Sequence, residues 1–263
     1  MQGEPGTVTS PAVSATSRSS RGKFTADIAR RVERGEHLTL WGPRGSGKTT
    51  LLNAVQQLVG GRHCGFSATT RSLDDITCAL ERAYGDVATG GLKRRAARGR
   101  LWWAADAESG VLLLDHVTNV GTAMKGWLRR LRGGLVGVVL AVDVDSPREW
   151  DRLRARRLDC TSVRIPPMAS RTIARQLVVE LEAVGVPRQP VTARRVLVRA
   201  ARGRPGWVVW CATLATHHRY WRDGQLKVRL LATDTELCLR GESGALKGRS
   251  DLVMARAGPA QST

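Results

Sequence analysis

The stretch LTLWGPRGSGKTTLLNAV (38–55) sets three glycines, an arginine and a lysine between two apolar runs. A plain turn from strand to helix needs none of them. Glycine costs about 0.5–1 kcal/mol of backbone entropy relative to alanine in ordered structure. Three of them, Gly42, Gly45 and Gly47, within six residues imply that the backbone itself is used. Gly42, Pro43, Arg44, Gly45, Ser46, Gly47, Lys48 and Thr49 spell GxxxxGK[ST], the phosphate-binding loop, between an expected strand and an expected helix that continues through Thr50. Successive N–H groups of such a loop curl round a β-phosphate at the positive end of the helix. Lys48 is expected to reach the β- and γ-phosphates, and the Thr49 hydroxyl to ligate Mg²⁺. The expected ligand is therefore a nucleoside triphosphate with Mg²⁺, and ATP is favoured because no NKxD-type guanine-reading motif is present.

A metal-nucleotide site also needs a carboxylate on a neighbouring strand to hold the metal's water shell. Asp115, closing the apolar run VLLL (111–114), meets that need; capping the next helix is the alternative. Many ATPases place Glu directly after this Asp to polarise the attacking water. Here His116 follows instead, a residue able to act as a base near neutral pH or to serve a structural or sensing role. The loss of Glu points to slow hydrolysis, or to binding used as a switch.

Around these motifs the chain alternates. Phe24, Ile28 and Val32 repeat at helical spacing before a strand at 37–41. Helices are expected near 47–59, 73–84, 101–108, 121–132 and 147–156, and strands near 64–68, 111–115, 135–142 and 161–165. Continuous apolar runs such as LVGVVLAV (135–142) suit strands buried on both faces. The fold class expected is α/β: a P-loop NTPase parallel sheet sandwiched by helices, followed after Pro166-Pro167 by a small all-helical C-terminal lid. The division is a Ser/Thr/Pro/Gly-rich disordered tail (1–22), an ATPase core (23–166), a helical lid (167–221) and an extension (222–263). In the extension, 226–241 suggests a β-hairpin before a disordered end.

Charge narrows the partners. The net charge is +19, and 36 of the 42 basic residues are arginine, whose planar fork binds phosphate bidentately. The basic blocks at 93–100, 125–132 and 152–157 make nucleic acid the expected partner; arginine-rich composition from a GC-rich genome is the alternative. Trp102 and Trp103, beside the first block, suit base stacking on a single strand or docking on the core. Trp207 and Trp210, three apart, are expected to pack the lid. No stretch approaches about 18 uninterrupted apolar residues, so no membrane partner is expected. Five scattered cysteines without a CxxC pair suit a reducing cytoplasm.

The phosphate loop, the strand ending in Asp115, a further buried strand and a proline-marked three-helix unit together resemble the AAA+ ATPases. The likeness spans about residues 23–220 and is nearest to the Orc-like and transposition-regulator-like branches, including the ExeA and TnsC types. The resemblance implies a polar sensor at the end of the strand after Walker B. Asp143 stands there, with Asp145 as second choice, where the family more often has Asn, Ser or Thr. It implies an arginine finger for a neighbouring subunit, for which Arg157 or Arg156 is placed, unless they form a solvated basic face. The family's lid often carries Gly-x-Pro-Arg. Here Gly203-Arg204-Pro205-Gly206 keeps the glycine and proline, leaving Arg204 or Arg202 as substitute nucleotide sensor. The function implied is an ATP-binding protein acting on or with DNA to regulate or load a protein partner, with homo-oligomerisation open. A STAND-like, nucleotide-gated protein switch with little turnover is the alternative; a small-molecule kinase would leave the helical lid without a role.

Overall fold

The computed structural model of the chain describes residues 20–60, 63–85, 94–117, 122–131, 133–146, 148–151 and 160–240. In chain order these form α1 (Ser20–Glu33), β1 (His37–Gly42), α2 (Lys48–Leu58), β2 (His63–Ser67), α3 (Leu73–Ala83) and α4 (Arg94–Ala107). Then come β3 (Gly110–Leu114), α5 (Thr122–Leu131), β4 (Val136–Asp143) and β5 (Thr161–Arg164). The C-terminal elements are α6 (Ser170–Ala183), α7 (Val191–Ala201), α8 (Pro205–Ala215), β6 (Trp221–Arg222), β7 (Gln225–Leu226) and α9 (Val228–Arg240).

Five strands pair in the order β2-β3-β4-β1-β5. The register sets Leu112 between Gly65 and Val138, and β2–β3 and β3–β4 run parallel. Leu112, Leu113, Leu114, Val138, Val139 and Leu140 have no exposed surface, which is why these strands read as unbroken apolar runs. The α/β class expected from the alternation is borne out: a parallel sheet with flanking helices and a helical C-terminal part.

Two compact units divide the chain. The first comprises Met1–Leu38, Thr50–Asp115 and Asn119–Leu140. In it α4 is longer than the expected 101–108, running back to Arg94 through Gly99. Its inner face is fixed by Trp102, whose ring lies 4.3 Å from that of Trp127 on α5. The second comprises Thr39–Thr49, His116–Thr118 and Ala141–Thr263. Its helical part has its own core: Ile173, Leu177, Leu181, Leu197, Trp207, Cys211, Tyr220, Leu231 and Leu239. Trp207 is fully buried and Trp210 packs against the same core, as expected.

The C-terminal extension departs from expectation. Residues 228–240 form a helix, not a strand pair. Its buried residues Leu231, Thr235 and Leu239 recur every four positions, the helical repeat. The antiparallel hairpin lies earlier and is minimal: Trp221-Arg222 on Gln225-Leu226, turning through Asp223 and Gly224 at φ +49° and +73°. Residues 1–19 and 241–263 lie outside the described residues, as do Arg156 and Arg157.

Candidate functional site

The loop between β1 and α2 has the backbone its glycines suggested. Gly45 and Gly47 adopt φ +77° and +87°, a region that L side chains enter only with strain. Ser46 N donates to Pro43 O at 3.1 Å, closing the turn. At the carboxyl end of β1, Gly42 O accepts from Val144 N at 3.1 Å, just beyond the carboxyl end of β4. Carboxyl strand ends of this kind are where open α/β sheets bind ligands. Because α2 starts at Lys48, its N-terminal N–H groups follow directly on the loop.

Lys48 is the electrostatic centre. Its side chain is 4% exposed, and Nζ donates to Gly42 O at 2.7 Å and Pro43 O at 3.0 Å. Its charge is compensated by Asp143, whose Oδ1 lies 2.6 Å from Nζ. The other carboxylate oxygen of Asp143 faces Arg44 Nε and His116 Nδ1, each at 3.4 Å. Burial alone would raise the Asp143 carboxyl. The hydrogen bond with His116 and the positive charge of Lys48 outweigh it and hold the group well below the usual carboxylate range. His116 sits at φ +47°, a left-handed backbone that costs a non-glycine residue about 1 kcal/mol or more. The structure thus gathers four of the residues singled out in the sequence, Arg44, Lys48, His116 and Asp143, into one charged cluster.

That donor set fits a polyphosphate. A buried ammonium already holds an oxyanion, and the loop beside it has positive-φ glycines and a helix N-terminus. Asp143 stands in for an anionic ligand, and a nucleotide would have to compete with it for Lys48. Thr49 and Thr50 are exposed at the start of α2. In the other unit Asp115 has no exposed surface, its N donating to Ser67 O at 2.9 Å and its O accepting from Thr70 N at 3.0 Å.

Arg204, one of the two substitutes for the nucleotide sensor, is held by side-chain and carbonyl partners of its own. It is buried, donating through Nε to Ala201 O at 3.1 Å and through Nη1 to Glu236 Oε1 at 3.2 Å. Burial would raise the Glu236 carboxyl, but Arg204 outweighs that and lowers it. Arg202, the other substitute, is the left-handed cap of α7 at φ +49°.

The contact with the loop is made instead by the next residue but one. Gly206 N donates to Gly45 O at 2.9 Å. A Cβ on Gly206 would lie 2.8 Å from Gly45 Cα, and one on Gly45 would lie 3.1 Å from Trp207 N. The missing arginine of the Gly-x-Pro pattern is therefore a steric requirement of this packing. Arg44 adds a second tie, Nη1 donating at 3.0 Å to Leu239 O in the last turn of α9. Sequence reading noted Gly206 only as the loss of the pattern's arginine, and missed its contact with Gly45 as well as Glu236 and Leu239.

No family model and no curated protein sequence matches this chain. Solved structures do resemble it. Domain III of the replication initiation protein DnaA from Thermotoga maritima is 15% identical, with TM-score 0.48, 81% of this chain and 90% of that one covered. AMPPCP-bound DnaA from Aquifex aeolicus is 16% identical, TM-score 0.48, covering 82% of this chain and 66%, just under two thirds, of that one. A Thermotoga maritima RuvB mutant is 13% identical, TM-score 0.45, covering 84% and 68%.

Proposed function

We propose that this chain is an ATP-binding protein of the AAA+ type that acts with DNA and uses nucleotide occupancy to regulate or load a protein partner. The observation that carries it is Lys48, buried in a positive-φ glycine loop and already paired with an anion. ATP binds with its phosphates on N–H groups of the loop after Pro43 and of the first turn of α2, and on Lys48. Mg²⁺, when bound, neutralises phosphate charge; Thr49 is its proposed ligand, and Asp115 the proposed acceptor from its water shell. His116 is the only proposed base beside the cluster, so turnover is slow and occupancy is the signal. The DNA part of the reading rests on the arginine excess and on the basic helices α4 and α5.

ATP binding and hydrolysis, with and without DNA, compared in wild type, Lys48→Ala and His116→Ala, test this. Expected are ATP binding lost in Lys48→Ala and slow, DNA-responsive turnover further reduced in His116→Ala. Tight ATP binding with no turnover and no DNA affinity even at low salt would replace the reading with a protein-gated switch. Absence of ATP binding in the wild type would overturn it altogether.

A further inference from the structure

Two neighbouring tryptophans on α4 have opposite fates. Trp102 is buried against Trp127, with the Arg130 guanidinium 4.5 Å from its ring centre. Trp103 is 77% exposed, more than any other large apolar side chain among the described residues. A lone exposed Leu needs no explanation, but an indole held out from a rigid helix is a large apolar surface left in water.

Its surroundings are specific. Ala96, Gly99 and Trp103 follow one another at i, i+3 and i+7 and are all exposed, so they share a face of α4. Small residues there leave a clear track leading to the indole. A Cβ on Gly99 would meet nothing within 4 Å, and the same holds for exposed Gly126 on α5. Glycine in a helix interior costs about 1 kcal/mol relative to alanine. Neither position requires it sterically, and both lie in strongly basic helices. Exposed Arg95 and Arg100 flank the track. Arg130 reaches α4 at Trp102 and at Asp106, 3.5 Å away, and so adds positive charge to the neighbouring face of the helix.

We infer that this face of α4 is a binding surface for single-stranded DNA, with Trp103 as a stacking platform for an unpaired base. The inference rests on the DNA reading above and adds where the strand lies. An exposed base has a π-face for the indole, the arginines meet its phosphates, and the glycines let the sugar-phosphate chain approach the helix backbone. Duplex DNA keeps its bases stacked on each other and offers the indole none, so the face selects a single strand.

The test is fluorescence anisotropy of a labelled deoxythymidine strand of about 20 nucleotides, long enough to span a typical single-strand site. A duplex and a uridine RNA strand of equal length serve as comparisons, at low and high salt, with full-length wild type, Trp103→Ala and Trp103→Phe. Stacking is worth about 1–3 kcal/mol per base, so Trp103→Ala should weaken single-strand binding about 5- to 150-fold, while Trp103→Phe recovers most of it. Because Trp103 is 77% exposed, ATP affinity and melting temperature should change little in either variant. Equal affinity of Trp103→Ala and wild type for the strand would overturn the placement on α4 and leave the DNA reading standing. Tighter binding of the duplex or of the RNA strand would overturn the choice of occupant. No binding by wild type at low salt would remove the DNA reading itself.

Discussion

Asp143→Asn separates an anion that competes with nucleotide from one that helps to bind it. In the structure Asp143 compensates Lys48, whose side chain is 4% exposed, at 2.6 Å. Removing one member of a buried ion pair costs about 3–5 kcal/mol because the other charge is left uncompensated. Asp143 is 28% exposed, and Lys48 keeps its bonds to Gly42 O and Pro43 O, so about 2 kcal/mol is the fitting figure here. For a chain of this size each kcal/mol shifts the melting temperature by about 2–4 °C, so the nucleotide-free variant should melt about 4–8 °C lower. Bound phosphate would supply the missing negative charge, so the ATP complex should lose little. By linkage, the free energy lost only from the empty state returns as affinity, and ATP should bind up to about 30-fold tighter to the variant. Thermal melts and calorimetric ATP titrations read both numbers. The acid side gives an independent check. The folded Asp143 carboxyl is held below the ordinary carboxylate value of 3.8, so its stabilisation is complete above that pH and is lost as pH falls through the folded value. The difference in stability between wild type and variant should therefore shrink only below about pH 4. An unchanged melting temperature together with weaker ATP binding would refute the reasoning and make Asp143 a nucleotide ligand.

Gly206→Ala places a methyl group 2.8 Å from Gly45 Cα, so loop or helix must move. Overpacking of this kind costs about 1–3 kcal/mol, and ATP affinity should fall with it in the same calorimetric assay. Arg204→Ala leaves Glu236 without its buried partner and should lower stability by about 2 kcal/mol in denaturant unfolding. Its ATP affinity should stay within about threefold of wild type, since among the described residues the polar partners of Arg204 are helix carbonyls and Glu236. A tenfold or larger loss of ATP affinity would restore Arg204 as a nucleotide sensor.

What was legible in the sequence was local or strongly periodic. The phosphate loop is eight consecutive residues whose backbone angles depend on their own glycines, so Gly45 and Gly47 were readable without the fold. Strands β3 and β4 were readable because both faces are buried and, Asp143 at the end of β4 apart, no residue is polar or charged. The helix at 228–240 was not, because Leu226, Val228 and Leu230 alternate as a strand would. Its true buried face includes Thr235, a polar residue made tolerable by its own hydroxyl bonding back to Leu231 O at 2.7 Å. That hydroxyl hid the four-residue repeat. The Arg204–Glu236 pair spans 32 positions and leaves no local trace. Trp102 and Trp103 were indistinguishable as a pair of letters; adjacent helix positions point about 100° apart, and packing decided which was covered.

The contacts of Gly206 and Arg44 have a common consequence. At Gly206 an arginine side chain would have to leave through the space taken by Gly45, so α8 meets the loop with its backbone N–H. At Arg44 the loop sends its own side chain outward to Asp143 and to the last turn of α9. Both contacts run from the loop to the C-terminal helices through the loop's own backbone and Arg44. A nucleotide that draws Lys48 from Asp143 also changes what Arg44 shares that carboxylate with, and Arg44 is hydrogen-bonded to Leu239. A ligand shifts an equilibrium only by its different interactions with the two states. On the proposed reading the difference is a charge exchange at Asp143, complete on binding and not dependent on cleavage. On the proposed reading, this is why a chain lacking the Walker B glutamate can still signal: occupancy alone alters the contacts that reach α9.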